Sequence, residues 1–391
     1  MSKEKKKKKF DWRNLVLMGF SIAFTIAILE IFLRIFMASD QKLLHKDYQT
    51  NQFLVPNKYW KVWHYADSKT THTRDCFEAD YSTNEYGMKD GPVNFSLPKI
   101  TLLGDSYVEG HGKNNNQSVS HFMDSLLEQQ YEVLNFGTSG GIGTVHQLAL
   151  YDNFASHFDA ELVILFFLNY NDLYDNINAI SEGFINEDLE FTYPKANDFE
   201  EIKTFIADKG TPPEVQYSKG GLYTFKLARR GFSSLGAYFQ TAANVKLFDF
   251  RTAIAKMYDP DESDDIRKGY NIFEKSLTEL KKQVEADSAQ LLLVQIADPF
   301  QIDVNWLDLS AGKIDKTLQP DYPNTRVKAI CDSLGVAYFD MYPQTADYIK
   351  TNEMTFPYFF HTCDRHYDTH GNRWMAELVV GHLREKNLVK Q

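Results

Sequence analysis

Cysteine is scarce. Three residues, Cys76, Cys331 and Cys363, stand in a chain of 391, too few and too odd in number for a disulfide framework to take the place of a hydrophobic core. One pair is free to oxidise outside the cytoplasm, whereas Cys331, set among apolar residues, reads as a small core side chain. Positive charge is also in short supply, with 42 Lys and Arg against 53 Asp and Glu and a formal net charge of -11. Nucleic acid as a partner demands a concentrated basic surface, so that class is set aside. Internal repeats are missing too, which excludes solenoids and propellers, and the only low-complexity stretch is a lysine run near the start.

Those lysines, at positions 3 and 5–9 with Arg13 after them, precede an apolar run over 15–38. A helix crosses the hydrocarbon core of a bilayer with roughly 20 residues, and a basic flank stays cytoplasmic. A cleaved signal peptide fits less well, because Phe36 or Met37 falls where the cleavage pattern wants a small side chain. The expected order is therefore a basic cytoplasmic tail over 1–14, an uncleaved transmembrane signal anchor over 15–38, a juxtamembrane linker and irregular lead-in over 39–90, and one globular domain over 91–391. That domain is expected to face outward, in the cell envelope. Glu30 and Arg34 lie four apart and share a helix face, where they can pair near the headgroups.

From about residue 99 the pattern becomes regular. An apolar strand over 99–103 leads to a helical spacing of Val119, Phe122, Met123, Leu126 and Leu127; then come a strand over 131–136, a helix over 144–157 and a strongly apolar strand over 161–168. A strand apolar throughout is buried on both faces, and strand–helix alternation means parallel strands. The alternation lapses over about 175–264, read as an insertion that covers the site, with a helix near 225–239. It resumes with a helix over 266–285, strands over 290–296 and 336–340, and helices over 324–334 and 372–385.

Chemistry-bearing residues collect at the carboxyl ends of these strands, where open α/β sheets place their ligands. The first strand runs into Gly104-Asp105-Ser106, the second into a loop from Asn135 through Gly137 to Gly140 and Gly141, and the third into Asn169-Tyr170-Asn171-Asp172. A serine becomes a nucleophile when an imidazole takes its proton and a carboxylate holds that imidazole. Asp364 and His366 supply the pair just before the last helix, and Asp368 and His370 repeat the spacing. A metal site is the competing reading of that segment, since His361, Asp364, His366, Asp368 and His370 crowd ten residues. Zinc motifs usually add a placed glutamate, and nothing here matches one.

Taken together these blocks resemble the SGNH (GDSL-like) hydrolases, in a membrane-anchored extracytoplasmic branch. The resemblance implies a three-layer αβα sandwich on a parallel, flavodoxin-like sheet. It also implies Ser106 as nucleophile, His366 and Asp364 as base and orienting carboxylate, and an oxyanion hole from the backbone N–H groups of Ser106 and Gly140 with the Asn171 amide. Gly137 is the alternative glycine. Two departures are Asn169 where the family usually has glycine, and Asp-x-His in place of Asp-x-x-His. The expected activity is hydrolysis of ester-linked acyl groups on a small molecule, glycan or lipid, with no cofactor and no metal. An O-acyltransferase using the same residues and a non-catalytic glycan binder are the alternatives.

Overall fold

The computed structural model describes residues 12–36, 53–74, 76–212, 222, 224, 254–302, 318–354 and 358–390. They fall into two units, Met1–Gln49 with Glu214–Leu247, and Thr50–Pro213 with Phe248–Gln391. In the first unit, helix α1 (Trp12–Phe36) has 25 residues, about 37 Å at 1.5 Å per residue, against a hydrocarbon core of about 30 Å. Apart from Leu33, its described apolar side chains are exposed, Leu17 at 63% and Phe20 at 69%, and its length and composition make it a candidate membrane span. Arg34 and Glu30 pair at 2.8 Å, as their spacing requires. The second Glu30 oxygen accepts from the N–H and hydroxyl of Thr224. The helix expected near 225–239, and most of the insertion with it, lie outside the described residues.

The second unit begins with two antiparallel hairpins where an irregular lead-in was expected. Strands β1 (Leu54–Asn57) and β2 (Lys61–His64) form one, β3 (Lys69–Arg74) and β4 (Phe77–Ser82) the other. Their signal was hidden because the strands are short and β3, Lys-Thr-Thr-His-Thr-Arg, carries no aliphatic residue at all. What holds the first hairpin is aromatic: Tyr59, Trp60 and Trp63 are fully buried, and Trp60 stacks on Phe154 with ring centroids 5.5 Å apart.

The main sheet has five parallel strands: β5 (Lys99–Gly104), β6 (Glu132–Gly137), β7 (Ala160–Phe167), β8 (Gln290–Gln295) and β9 (Ala337–Asp340). They are ordered β6-β5-β7-β8-β9. Residues that alternate along a strand point to opposite faces, and both faces are covered here. Leu103, Phe136, Val163, Leu165 and Phe167 belong to one apolar core. Ile100, Leu102, Ile164 and Phe166 belong to the other. The first core takes in the buried sides of the helices Thr144–Asn153, Asp264–Ala286 and Tyr322–Leu334, and the second those of Val119–Leu126 and Thr369–Glu385. This is the expected three-layer αβα sandwich. Beyond the expected elements, helices also occupy Asn169–Ser181, Phe199–Ala207 and Tyr342–Thr351.

Candidate active site

The turn after β5 is dictated by packing before it is chemical. A Cβ on Gly104 would lie 2.3 Å from Val108 Cγ2, so only glycine lets the chain turn this sharply into the helix Ser106–Glu109. Asp105 caps that helix by accepting from the Tyr107 N–H at 2.9 Å. Its other oxygen accepts from the Asn171 amide at 2.7 Å. Burial pushes the Asp105 carboxyl up, while these bonds and the nearby His366 work against that rise. Ser106 is thereby held at the sheet edge, and its Oγ lies 2.8 Å from His366 Nε2 across a separation of 260 residues.

His366 is fixed by a loop whose shape explains the Asp-x-His spacing. Arg365 adopts a left-handed φ of +65°, and Asp364 Oδ1 accepts from the backbone N–H of His366 at 3.2 Å. The same oxygen lies 3.3 Å from His366 Nδ1. Tyr107 donates its hydroxyl to the Arg365 carbonyl at 2.7 Å, and Tyr367 donates to Ala297 at 3.0 Å. Burial opposes charge on Asp364, but the neighbouring His111 and His366 rings outweigh it and hold the carboxyl well below the usual range. The repeated pair is resolved by the same geometry. Asp368 caps the final helix through the Gly371 N–H at 2.9 Å, and His370 is exposed against Tyr358.

Of the two candidate glycines, Gly137 has its N–H occupied by Asn135 Oδ1 at 2.9 Å. A Cβ there would lie 2.2 Å from the Glu109 nitrogen, so Gly137 serves close packing of β6 on the helix Ser106–Glu109. Gly137→Ala is expected to destabilise the protein by about 3 kcal/mol, read as a fall in the urea midpoint. Gly140 sits exposed with φ +114°, and its N–H, like that of Ser106, has no protein acceptor among the described residues. The amide of Asn171 has a second hydrogen beyond the one given to Asp105. Ser106, Gly140 and Asn171 thus remain the candidate oxyanion donors. Lys61 of β2 steadies this loop by donating to the Gly141 carbonyl while it pairs with Glu182 at 2.8 Å.

Sequence reasoning half foresaw one feature of the site and missed another. Cys76 and Cys363 form a disulfide that ties the β3–β4 hairpin to the residue before Asp364, while Cys331 is buried and free. Adjacency of Cys363 to Asp364 was visible, but no spacing rule pairs cysteines 287 residues apart. The other is His111, five positions after the nucleophile between Gly110 and Gly112. Its ring stacks on His366 with centroids 4.3 Å apart. Among the described residues, donor atoms of His111, Asp364 and His366 gather within 4.8 Å of one another, so only two members of the segment 361–370 weighed as a metal site take part.

Sheet order, a serine at the end of the first sheet strand, an asparagine after the third and a histidine just before the last helix now stand together. This is the arrangement that the resemblance to the SGNH hydrolases implies. No family model matches the sequence, and no curated protein does. Among solved structures the chain is similar to TesA, at 11% identity over 73% of this chain and 98% of that one with a TM-score of 0.36. It is also similar to the acetyl xylan esterase AlAXEase, at 15% identity over 73% and 99% with a TM-score of 0.35. A variant of the acetyl-xylooligosaccharide esterase Axe2 from a Geobacillus matches at 14% identity over 74% and 93%, with a TM-score of 0.38. At such values these are likenesses only.

Proposed function

We propose that the protein is a serine-dependent acyl-ester hydrolase, an esterase or deacetylase, that works on a glycan or lipid of the cell envelope. The observation that carries this reading is the 2.8 Å contact between Ser106 Oγ and His366 Nε2. At that distance the imidazole takes the hydroxyl proton as Oγ attacks an ester carbonyl. Asp364 stabilises the imidazolium that results, and the carbonyl oxygen, now negative, is met by the N–H groups of Ser106 and Gly140 and the Asn171 amide. His366 then returns the proton to the leaving alkoxide, and water releases the acyl group by the same steps in reverse order. The envelope enters through compartment: the basic tail before α1 favours a cytoplasmic N-terminus and an outward catalytic unit.

The test is labelling of the full-length protein in detergent with a fluorophosphonate, which reacts only with an activated serine. Wild type is expected to label, and His366→Ala to lose labelling while keeping its circular dichroism spectrum. A folded wild type that stays unlabelled sinks the proposal.

A further inference from the structure

We propose that the cleft between the β3–β4 hairpin and the catalytic loop is a saccharide-binding subsite, so that the alcohol half of the ester is a glycan rather than a lipid. This rests on the hydrolase reading above and names the substrate class of that site. The cleft has a volume of about 470 Å³, within the range of small-molecule sites, about 300–1,000 Å³. Three segments wall it: residues 76–78 around the start of β4, residues 112–114 with Gln117, and residues 360–362 with Asp368 from the loop that carries Asp364 and His366. The walls are braced before any ligand arrives. The Cys76–Cys363 bridge ties the first to the third. Asn114 Oδ1 accepts from the Asp80 N–H at 2.8 Å and the Gly112 N–H donates to the Tyr81 hydroxyl at 2.7 Å, which ties the second to β4. A preformed cleft of this kind spends little ordering entropy on binding. It also adjoins the catalytic pair. The His361 N–H donates to the His366 carbonyl at 2.7 Å, and the rings of His361, Phe77, His111 and His366 follow one another at centroid separations of 4.8, 5.6 and 4.3 Å.

The walls offer hydrogen-bonding groups of both kinds. Gln117 spends its Oε1 on the Asn114 N–H at 3.4 Å and Asn114 spends its Oδ1 on Asp80, so the NH₂ group of each amide has no partner among the described residues. Lys113 stands half-buried in the same wall; burial lowers its affinity for the proton, while Asp368 and Asp364 raise it. On the opposite wall Asp368 gives Oδ1 to the cap of the last helix, and its Oδ2 has no partner among the described residues. His361 is 6% exposed and its Nε2 lacks a hydrogen-bond partner; burial pushes the ring down to about 4, so it is uncharged at neutral pH. Each hydroxyl of a sugar both donates and accepts, and hydroxyls set between amide donors and a carboxylate acceptor satisfy both walls at once. A lipid satisfies neither. Its acyl chain needs apolar surface, yet the apolar side chains of the wall, Phe77 and Phe360, are themselves buried. An anionic headgroup would meet Lys113 but also Glu78 and Asp368, one positive charge against two negative.

The experiment follows ester cleavage by the full-length protein in detergent, by pH-stat titration. The probes are partially O-acetylated cellotetraose and mannotetraose, the O-acetylated methyl glucoside and methyl mannoside, and a micellar monoacylglycerol. For at least one sugar, wild type is expected to show a tetrasaccharide KM about 10-fold or more below that of the matching monosaccharide, the scale of one or two hydrogen bonds to bound hydroxyls. Gln117→Leu and Lys113→Met each remove one donor from a partly exposed side chain. Each should raise that tetrasaccharide KM about 5- to 10-fold with kcat within about twofold, the mark of lost uniform binding. A thermal scan separates misfolding from lost binding, and either variant that folds decides. Equal KM for tetrasaccharides and monosaccharides in wild type overturns the subsite, as does a tetrasaccharide KM that no folded variant moves, or a monoacylglycerol cleaved with a lower KM than every sugar. A wild type that cleaves no ester and takes no fluorophosphonate removes the hydrolase reading instead. Tetrasaccharide binding in titration calorimetry, weakened about 5- to 10-fold by Gln117→Leu, would then uphold the subsite alone, and its absence would overturn both.

Discussion

Ser106→Ala is expected to lower kcat by about 10⁵- to 10⁶-fold and to leave KM within a few-fold, the scale on which removal of one member of a cooperating Ser-His-Asp unit acts. The substitution deletes a single oxygen. It leaves the Asp105 cap, which runs through Asp105 Oδ1 to the Tyr107 N–H, and the Asn171 bond to Asp105 Oδ2. His366 loses its 2.8 Å partner but keeps Asp364, so no charge is stranded and the fold should be as stable as wild type. Steady-state turnover of an aryl acetate, with a thermal scan beside it, checks both halves. Activity within tenfold of wild type would mean that Ser106 is not the nucleophile.

Opening the Cys76–Cys363 bridge is expected to cost both stability and rate. The bridge closes a separation of 287 residues, and a crosslink over a long loop stabilises by about 2–5 kcal/mol. Cys76→Ala with Cys363→Ala should therefore lower the urea midpoint clearly. Its kinetic effect is local, because Cys363 adjoins Asp364 and Cys76 immediately precedes the return strand of the hairpin that carries Arg74. Freed from the hairpin, Asp364 samples positions away from His366 and His111, and kcat should fall by about tenfold or more at constant KM. Reduced wild type, with thiols blocked, should behave like the double variant. Equal urea midpoints before and after reduction would show that the bridge adds nothing to stability.

Much of the catalytic unit could be read from the sequence, because parallel sheets announce themselves. The run Leu162 to Phe167 is apolar at every position, as a strand covered on both faces must be, and the bounds of β5, β7 and β8 fall within a residue of expectation. The position of Ser106 was legible for a related reason: an apolar strand that stops at polar residues is a contrast visible along one dimension. The hairpins were not legible, since Trp60 and Trp63 are buried by partners such as Phe154 that lie far away in the sequence. His111 failed for the same cause. Next to Ser106 it reads as a loop residue between two glycines, and only the fold brings it against Asp364. Asp368 and His370 show the reverse case, in which local pattern offered two equal pairs and the helix cap separated them.

The 260-residue gap between Ser106 and His366 also sets an order in time. A ribosome adding about 5–20 residues per second makes Ser106 first and His366 about 10–50 s later, with Asp364 and the second half of the disulfide arriving together with His366. A chain still being made therefore carries a serine that is chemically inert. On the proposed reading, activity would begin only once His366 has met Ser106, so a truncated or stalled product would leave the ester bonds around it intact.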